Sequence, residues 1–385
     1  MKKAISFALC LLIFAASLTF SGYAVKSEQT ESLAVKAKSA VLMDASNGQV
    51  LYKYNENEKL PPASVTKIMS LLLIAEAVDG GKIKLTDEVT ASADAAAKGG
   101  SQIWLKEGET MTVDELLKAI AISSANDACC AMAEYIAGSE SAFVNMMNDR
   151  AKELGMNNTH FENCSGLDDD TTDHLTTAYD IGLMSVELLK HEFIENYTTV
   201  WMDSLRNGAT ELVNTNRLVR FYNGTTGLKT GTTSKAGKCL SASAKRDGLH
   251  LVAVVLGSPS SDERFETAKT LLNYGFANYE SVTPAVDESL ITDVKIIRGA
   301  EESLKPAYDE IKSITLKKGD KEKITTEISL ATDAQAPIEK GQTLGSIKFI
   351  LNGETISECR LFSDKEIRRT AYSDVLIAMI RSLTH

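Results

Sequence analysis

The sequence predicts an α+β protein in which one antiparallel sheet takes its strands from both ends of a long helical stretch. Residues 40–44 and 50–54 flank a turn at Ser46–Gln49, and residues 239–245 and 249–256 flank an Asp247–Gly248 turn. Between these hairpins, from about residue 84 to 203, apolar residues recur at helical spacing. We expect the helices to form a second lobe beside the sheet, with the functional site in the cleft between them.

The elements follow in order along the chain. An apolar run from Ile68 to Val78 predicts the first helix, which ends before Gly80 and Gly81. Further helices are predicted over 112–123, 127–136, 141–154, 176–190 and 262–279, the first with a capping box at Thr112. Alternating patterns predict strands over 227–233, 294–297, 314–317, 324–330, 343–351 and 354–361. The strands after residue 282 indicate a separate small all-β domain, residues 282–362.

Both ends of the chain carry patterns that occur in export and membrane-binding segments. Lys2 and Lys3 precede an apolar run over 4–20 and small residues that end at Ala24, which predicts a signal peptide over 1–24; a retained membrane anchor is the alternative. At the other end, a capping box at Ser363 opens a predicted amphipathic helix over 363–385, with Ile367 on its apolar side. That helix either lies on a membrane surface or docks on its own β domain.

Composition excludes several classes of function. The chain has 385 residues, 44% of them hydrophobic, and a net charge of −11, so no basic patch for nucleic acid is expected. Without the signal, five cysteines remain, an odd number that predicts buried free thiols instead of a disulfide framework. The histidines are scattered and no metal-binding spacing occurs, so we predict neither a metal nor a cofactor.

The chemistry is predicted to begin at Ser64-Val65-Thr66-Lys67, at the start of the first helix. Residues three apart share one helix face, so the Lys67 ammonium can reach the Ser64 hydroxyl. A lysine acts as a base near neutral pH only if burial and neighbouring cations lower its pKa from ~10.4 towards ~7 to 8. A capped helix start with a solvated lysine is the alternative interpretation of this tetrapeptide alone.

Two later motifs favour the catalytic interpretation: Ser124-Ala125-Asn126 between two helices, and Lys229-Thr230-Gly231 on a strand beside the cleft. The order S-x-x-K, S-x-N, K-T-G resembles the serine acyl-transferase arrangement of penicillin-binding proteins and class A β-lactamases.

In that arrangement Ser64 is the nucleophile and Lys67 takes its proton. Ser124 passes a proton between the lysines and the departing amine, and Asn126 holds Lys67 and the substrate amide. The binding residues are expected to be Lys229 and Thr230 for the substrate carboxylate, Gly231 for close approach of its backbone, and the N–H groups of Ser64 and Thr232 for the oxyanion. Repulsion from Lys229 is expected to help keep Lys67 neutral.

The resemblance extends beyond the motifs. Residues 100–105, 107–109, 160–167, 174–180 and 226–233 are similar to the serine D-alanyl-D-alanine carboxypeptidases, the low-molecular-weight penicillin-binding proteins. The resemblance implies a catalytic domain over 25–281 with a five-stranded antiparallel sheet and an inserted helical lobe, followed by the β domain and the amphipathic helix. It also implies removal of the terminal D-alanine from peptidoglycan stem peptides, acylation by β-lactams, and location at the outer face of the cytoplasmic membrane. The middle motif departs as S-A-N, which keeps both side chains with assigned roles.

Three other functions share features with this one. A class A β-lactamase needs a glutamate that activates water and an asparagine four residues later, whereas Glu162 is followed there by Gly166. A transpeptidase would pass the same acyl-enzyme to an amine, and a minor activity of this kind is compatible with the sequence. A non-catalytic peptidoglycan-binding module predicts loss of Ser64 or Lys67, and both are present.

Overall fold

Two groups of strands make up the part of the chain that the computed structural model describes, residues 33–373, 377 and 379. The first group is β1 (Ser39–Asp44), β2 (Val50–Tyr54), β3 (Glu88–Thr90), β4 (Thr110–Thr112), β5 (Met202–Leu205), β6 (Thr210–Val213), β7 (Thr225–Thr233), β8 (Gly237–Arg246) and β9 (Leu249–Ser258). The second is β10 (Tyr279–Val282), β11 (Val294–Ile297), β12 (Ser303–Leu304), β13 (Ala307–Tyr308), β14 (Ile314–Lys317), β15 (Thr325–Leu330), β16 (Asp333–Gln335), β17 (Thr343–Leu351) and β18 (Glu354–Phe362).

The α-helices named here all lie between Lys67 and Asn278, before the second group of strands. They are α1 (Lys67–Asp79), α2 (Ala93–Ala96), α3 (Val113–Lys118), α4 (Asn126–Ala137), α5 (Glu140–Glu153), α6 (Ala178–Leu188), α7 (Glu195–Thr198), α8 (Leu218–Phe221) and α9 (Ser261–Asn278). The capping box predicted at Thr112 is present: its hydroxyl accepts from the Glu115 amide, and the Glu115 side chain accepts from the Thr112 amide. The predicted helix over 112–123 changes after α3 into a π-helical turn, Ala119–Ser123.

The central sheet is five-stranded and antiparallel, in the order β2-β1-β9-β8-β7. Helices cover both of its faces. A Cβ on Gly182 of α6 would lie 2.5 Å from Met43 Sδ, and one on Gly275 of α9 would lie 2.5 Å from a Leu251 methyl group. Neighbouring residues on a strand face opposite sides, so β1 contacts α6 through Met43 and α9 through Leu42. The predicted sheet, built from both ends of the helical stretch, is confirmed.

Two small strand pairs were missed by the sequence analysis. β3 pairs with β4 and β5 pairs with β6, both antiparallel, inside the region that we predicted to be mostly helical. Three or four residues are too few to establish an alternating pattern. β3 and β4 are strands only because they pair with each other across a long stretch of chain.

The second group of strands forms the predicted all-β domain, with the bounds of β11, β14 and β17 as expected. It has one core around Val294 and Ile338 and another around Ile347 and Phe349. These cores are separate from the large apolar core beneath the central sheet and the helices.

The prediction that the C-terminal helix starts at Ser363 was wrong. Residues 363–371 are not helical; Ile367 pairs with Ile338 in an antiparallel bridge and is 2% exposed within a β-domain core. Burial of Ile367 against this core competes with helix formation, because a helix starting at Ser363 would break the bridge. Tyr372, Ser373, Ile377 and Met379 are helical, and the rest of this prediction, like the signal peptide, lies outside the described residues. Within the described residues, no helix has both the length and the hydropathy to cross a membrane.

Candidate active site

Ser64 stands in a short 3₁₀ turn, Ala63–Thr66, that leads directly into α1. Pro62 caps the turn, and Ala63 is held in the left-handed region at φ +50°. A non-glycine residue adopts that conformation only where its surroundings fix it, as they do at many functional sites. The turn leaves Ser64 half-buried at the edge of the cleft, while Val65 and Thr66, the last two residues before α1, are buried.

Lys67 is fully buried and its Nζ donates three hydrogen bonds. The acceptors are Ser64 Oγ at 3.0 Å, Asn126 Oδ1 at 2.5 Å and the Ser165 carbonyl oxygen at 2.8 Å. Burial lowers the Lys67 pKa from 10.5 to about 8, because a charged ammonium loses its hydration there. The predicted approach of Lys67 to the Ser64 hydroxyl is present, and the lysine has a pKa suited to accepting its proton.

Asn126 begins α4 and connects Lys67 to a neighbouring loop. Its Nδ2 donates to the Gly99 carbonyl oxygen at 2.7 Å, so its Oδ1 must face the lysine. Next to it, Asp127 accepts hydrogen bonds from the Ile103 and Leu105 amides at 3.0–3.2 Å. Asp127 therefore fixes the loop that in turn orients Asn126, a role to which the sequence analysis assigned no residue.

Ser124 has a left-handed backbone, with φ 68° and ψ 30°, where the π-helical turn ends. Its side chain is buried, and its Oγ has no hydrogen-bond partner within the described part of the chain. The proton relay expected from Ser124 to Lys67 and Lys229 is thus not formed by direct hydrogen bonds here. A buried hydroxyl without a partner is unusual and stays available to a ligand group.

Lys229 lies on β7, the edge strand of the central sheet, and is 1% exposed. Its Nζ donates to the Thr230 carbonyl oxygen at 3.3 Å. Burial, the Lys67 charge and the Arg264 charge lower the Lys229 pKa well below its usual value. The expected repulsion between the two lysines therefore acts on Lys229, whereas burial is the main cause of the lowered pKa of Lys67.

Thr230 and Gly231 bring β7 to the nucleophile. Thr230 Oγ1 donates to Thr215 Oγ1 at 2.7 Å. A Cβ on Gly231 would lie 2.6 Å from the Pro62 carbonyl oxygen and 3.1 Å from the Ser64 nitrogen. We expected a glycine at position 231 to leave room for the backbone of the substrate. The structure shows that packing within the protein also requires it, because any side chain there would push the strand away from the turn that carries Ser64.

His174 supports the nucleophile turn from behind. Its Nδ1 accepts from the Glu162 amide at 3.0 Å, so the proton is on Nε2, which donates to Thr66 Oγ1 at 2.8 Å. Burial lowers the His174 pKa to about 4, which keeps the ring neutral at physiological pH. His174 thus ties the segment containing Glu162 to the first turn before α1.

The comparisons with known proteins agree with this geometry. Residues 24–260 match the model of a protein family described as D-alanyl-D-alanine carboxypeptidase. The chain belongs to this family. Residues 279–369 match a second model, described as the C-terminal domain of penicillin-binding protein 5. The predictions of a serine carboxypeptidase, and of a five-stranded antiparallel sheet with helices followed by an all-β domain, are therefore confirmed.

Individual relatives are similar over nearly their whole length. The D-alanyl-D-alanine carboxypeptidase DacF of Bacillus subtilis (strain 168) is 43% identical over 379 residues, which cover 97% of this chain and 96% of the relative. The DacA enzyme of Escherichia coli (strain K12) is 32% identical over 91% of this chain and 88% of its own.

Two solved structures extend the comparison. Penicillin-binding protein 5 from Haemophilus influenzae has a TM-score of 0.74 at 29% identity, covering 87% of this chain and 98% of that one. Penicillin-binding protein D2 from Listeria monocytogenes in its ampicillin-bound form has a TM-score of 0.58 at 31% identity, covering 63% of this chain and 99% of that one.

Proposed function

We propose that Ser64 carries the acyl group when this carboxypeptidase removes the terminal D-alanine from peptidoglycan stem peptides. The observation on which this rests is the bond from the buried Lys67 ammonium to Ser64 Oγ, 3.0 Å long. In its neutral form Lys67 takes the hydroxyl proton while Ser64 Oγ attacks the carbonyl carbon of the penultimate D-alanine. The negative charge on the carbonyl oxygen is then stabilised by the N–H groups of Ser64 and Thr232.

The proton reaches the leaving amine through Ser124. Its unpartnered Oγ is free to bridge Lys67 and the nitrogen of the departing D-alanine once substrate fills the cleft. D-alanine leaves as an amine, and water then cleaves the Ser64 ester to release the shortened peptide. Asn126 keeps Lys67 in place through both steps and presents its amide group to the substrate.

Lys229 and Thr230 receive the terminal carboxylate of the substrate. In the free enzyme, burial and the Lys67 charge disfavour a proton on Lys229. A bound carboxylate favours the charged form of Lys229, and the charge on Lys229 then disfavours one on Lys67. Binding of a substrate that ends in a carboxylate therefore leaves Lys67 ready to act as the base.

A β-lactam presents a similar carboxylate and a reactive amide carbonyl, so we propose that it acylates Ser64 in the same way. The ampicillin-bound relative supports this proposal. We further propose export through residues 1–24, cleavage after Ala24, and action of the 25–281 catalytic domain in the cell-wall space. In this proposal the C-terminal segment brings the enzyme to the outer face of the cytoplasmic membrane.

Intact-mass measurement tests the assignment of Ser64. Purified mature protein is incubated with benzylpenicillin beside a Ser64→Ala variant, and D-alanine release from a stem pentapeptide is assayed in parallel. We expect one persistent adduct on the wild type, none on the variant, and D-alanine release by the wild type alone. Rapid hydrolysis of the antibiotic would indicate a β-lactamase instead, and no adduct would contradict an acyl-enzyme.

A further inference from the structure

Arg264, on α9, is a buried cation that the reaction as described does not use. It is 5% exposed, and its guanidinium lies 4.6 Å from the centre of the Phe265 ring. Nη1 donates to the Gly231 and Cys239 carbonyl oxygens, both at 3.2 Å, and Nη2 donates to Ser261 Oγ at 3.2 Å.

The cation is therefore held by neutral acceptors. Among the described residues, Arg264 forms no ion pair with a carboxylate. Taking a cation out of water is costly unless its partners compensate, and a buried arginine is usually paired with an acid. The charge of Arg264 is instead directed at two main-chain carbonyls, that of Cys239 and that of Gly231, the residue before Thr232.

The geometry of the peptide bond links that carbonyl to the reaction. The Gly231–Thr232 peptide is trans, so its C=O and N–H point in opposite directions. Gly231 pairs with Cys239 of β8, and Arg264 contacts the carbonyls of both residues, which places the Gly231 oxygen on the β8 side. The Thr232 N–H consequently points to the open edge of β7, where the turn carrying Ser64 lies.

We propose that Arg264 is a positioning residue for the oxyanion hole. It holds and polarises the Gly231–Thr232 peptide so that the Thr232 N–H donates more strongly to the charge that develops on the substrate carbonyl. A donor on the oxygen of an amide strengthens hydrogen bonding by the N–H of the same amide, and a charged donor does so most. Thr232 Oγ1 adds a second donor to the same oxygen at 2.8 Å. This inference rests on the proposed acylation of Ser64.

The test compares Arg264→Gln and Arg264→Lys with Arg217→Gln as the matched control. Arg217 also stacks on Phe265, 4.8 Å from its ring centre, and donates to Ser261 Oγ at 3.1 Å, but makes no hydrogen bond to β7. Three quantities are measured: the acylation rate constant with benzylpenicillin, kcat and KM for D-alanine release, and the infrared stretching frequency of the ¹³C-labelled ester carbonyl in the penicilloyl-enzyme.

We expect Arg264→Gln to slow acylation and to reduce kcat about 10- to 100-fold, with KM nearly unchanged. This loss is no larger than the ~10²- to 10³-fold decrease in rate that follows removal of a whole oxyanion donor. The ester carbonyl should absorb at a higher frequency, because a weaker oxyanion hole polarises it less. Arg264→Lys, which keeps the charge but loses the fork of donors, should show a smaller shift in the same direction. Arg217→Gln should match the wild type in rate and frequency.

Two results would overturn the inference: acylation of Arg264→Gln at the wild-type rate, or slow acylation with an unshifted carbonyl frequency, which would indicate a purely structural role. If Arg264→Gln does not fold, Arg264→Lys decides by the same two criteria. Absence of any adduct on the wild type would refute the proposed function itself and this inference with it, so the two failures are distinguishable.

Discussion

Gly166 lies directly against the carbonyl group of Ala63, the residue before the nucleophile. A Cβ on Gly166 would be 1.9 Å from the Ala63 oxygen, and Gly166 itself has φ +83°. Its neighbour Ser165 supplies a carbonyl oxygen to Lys67 at 2.8 Å. One tight contact therefore sets the position of the nucleophile turn and of an acceptor for the catalytic base.

Gly166→Ala should destabilise the enzyme and slow acylation. The left-handed backbone and the forced contact with Ala63 together cost roughly 2–4 kcal/mol of unfolding free energy. Gly155→Ala is the control, because Gly155 has φ +74° but no atom within 4 Å of its Cβ position. Urea unfolding and benzylpenicillin labelling of both variants check the prediction. Equal losses in the two variants would mean that backbone strain alone, and not the Ala63 contact, is responsible.

The acylation rate should depend on pH through Lys67. Its pKa is lowered to about 8, and only the neutral amine can take the Ser64 proton. The second-order rate constant for benzylpenicillin should therefore rise about tenfold per unit up to this pKa and level off above it. The rate constant is measured at each pH by quenching the acylation reaction at intervals and determining the acylated fraction from the intact mass. Lys82→Gln serves as a surface control. A profile that is flat from pH 6 to 9 would contradict Lys67 as the base.

Thr230→Val should weaken recognition of the substrate carboxylate. The valine keeps the shape of threonine but loses the hydroxyl, and a hydrogen bond to a charged group contributes ~1.5–3 kcal/mol. We expect the acylation rate constant to fall about 10- to 100-fold through weaker binding. Thr225→Val on the same strand is the control, because the Thr225 hydroxyl bonds the Leu218 and Tyr222 carbonyl oxygens. If the two variants acylate equally, Thr230 does not bind the carboxylate.

Much of the fold and of the site could be predicted because its signals are local. The hairpins, the helix starting at Lys67 and the capping box at Thr112 each depend on residues within one turn or two strands. The motifs around Ser64, Ser124 and Lys229 could be recognised from their order along the chain. The structure brings all three together at the edge of the cleft.

What the sequence did not reveal depends on contacts between distant residues. The acceptor role of Ser165 belongs to its main chain, which any residue would provide, and Arg264 acts from a helix about 30 residues after β7. Ile367 packs in the β-domain core and forms a bridge with Ile338, a partner that no local pattern indicates. The periodicity around residue 367 therefore predicted a helix where the structure has a β-bridge.

Glu162→Gln should leave the lifetime of the penicilloyl-enzyme unchanged within about twofold. The Glu162 carboxylate accepts from the Thr172 amide at 2.9 Å and from its hydroxyl at 3.1 Å, so both oxygens are engaged away from Ser64. The asparagine that a class A β-lactamase needs four residues later has no room, because Gly166 contacts Ala63. Intact-mass decay of the adduct measures the lifetime, with Glu107→Gln as the control. A tenfold longer lifetime in Glu162→Gln alone would show that Glu162 activates the deacylating water and that the enzyme hydrolyses β-lactams in the manner of a lactamase.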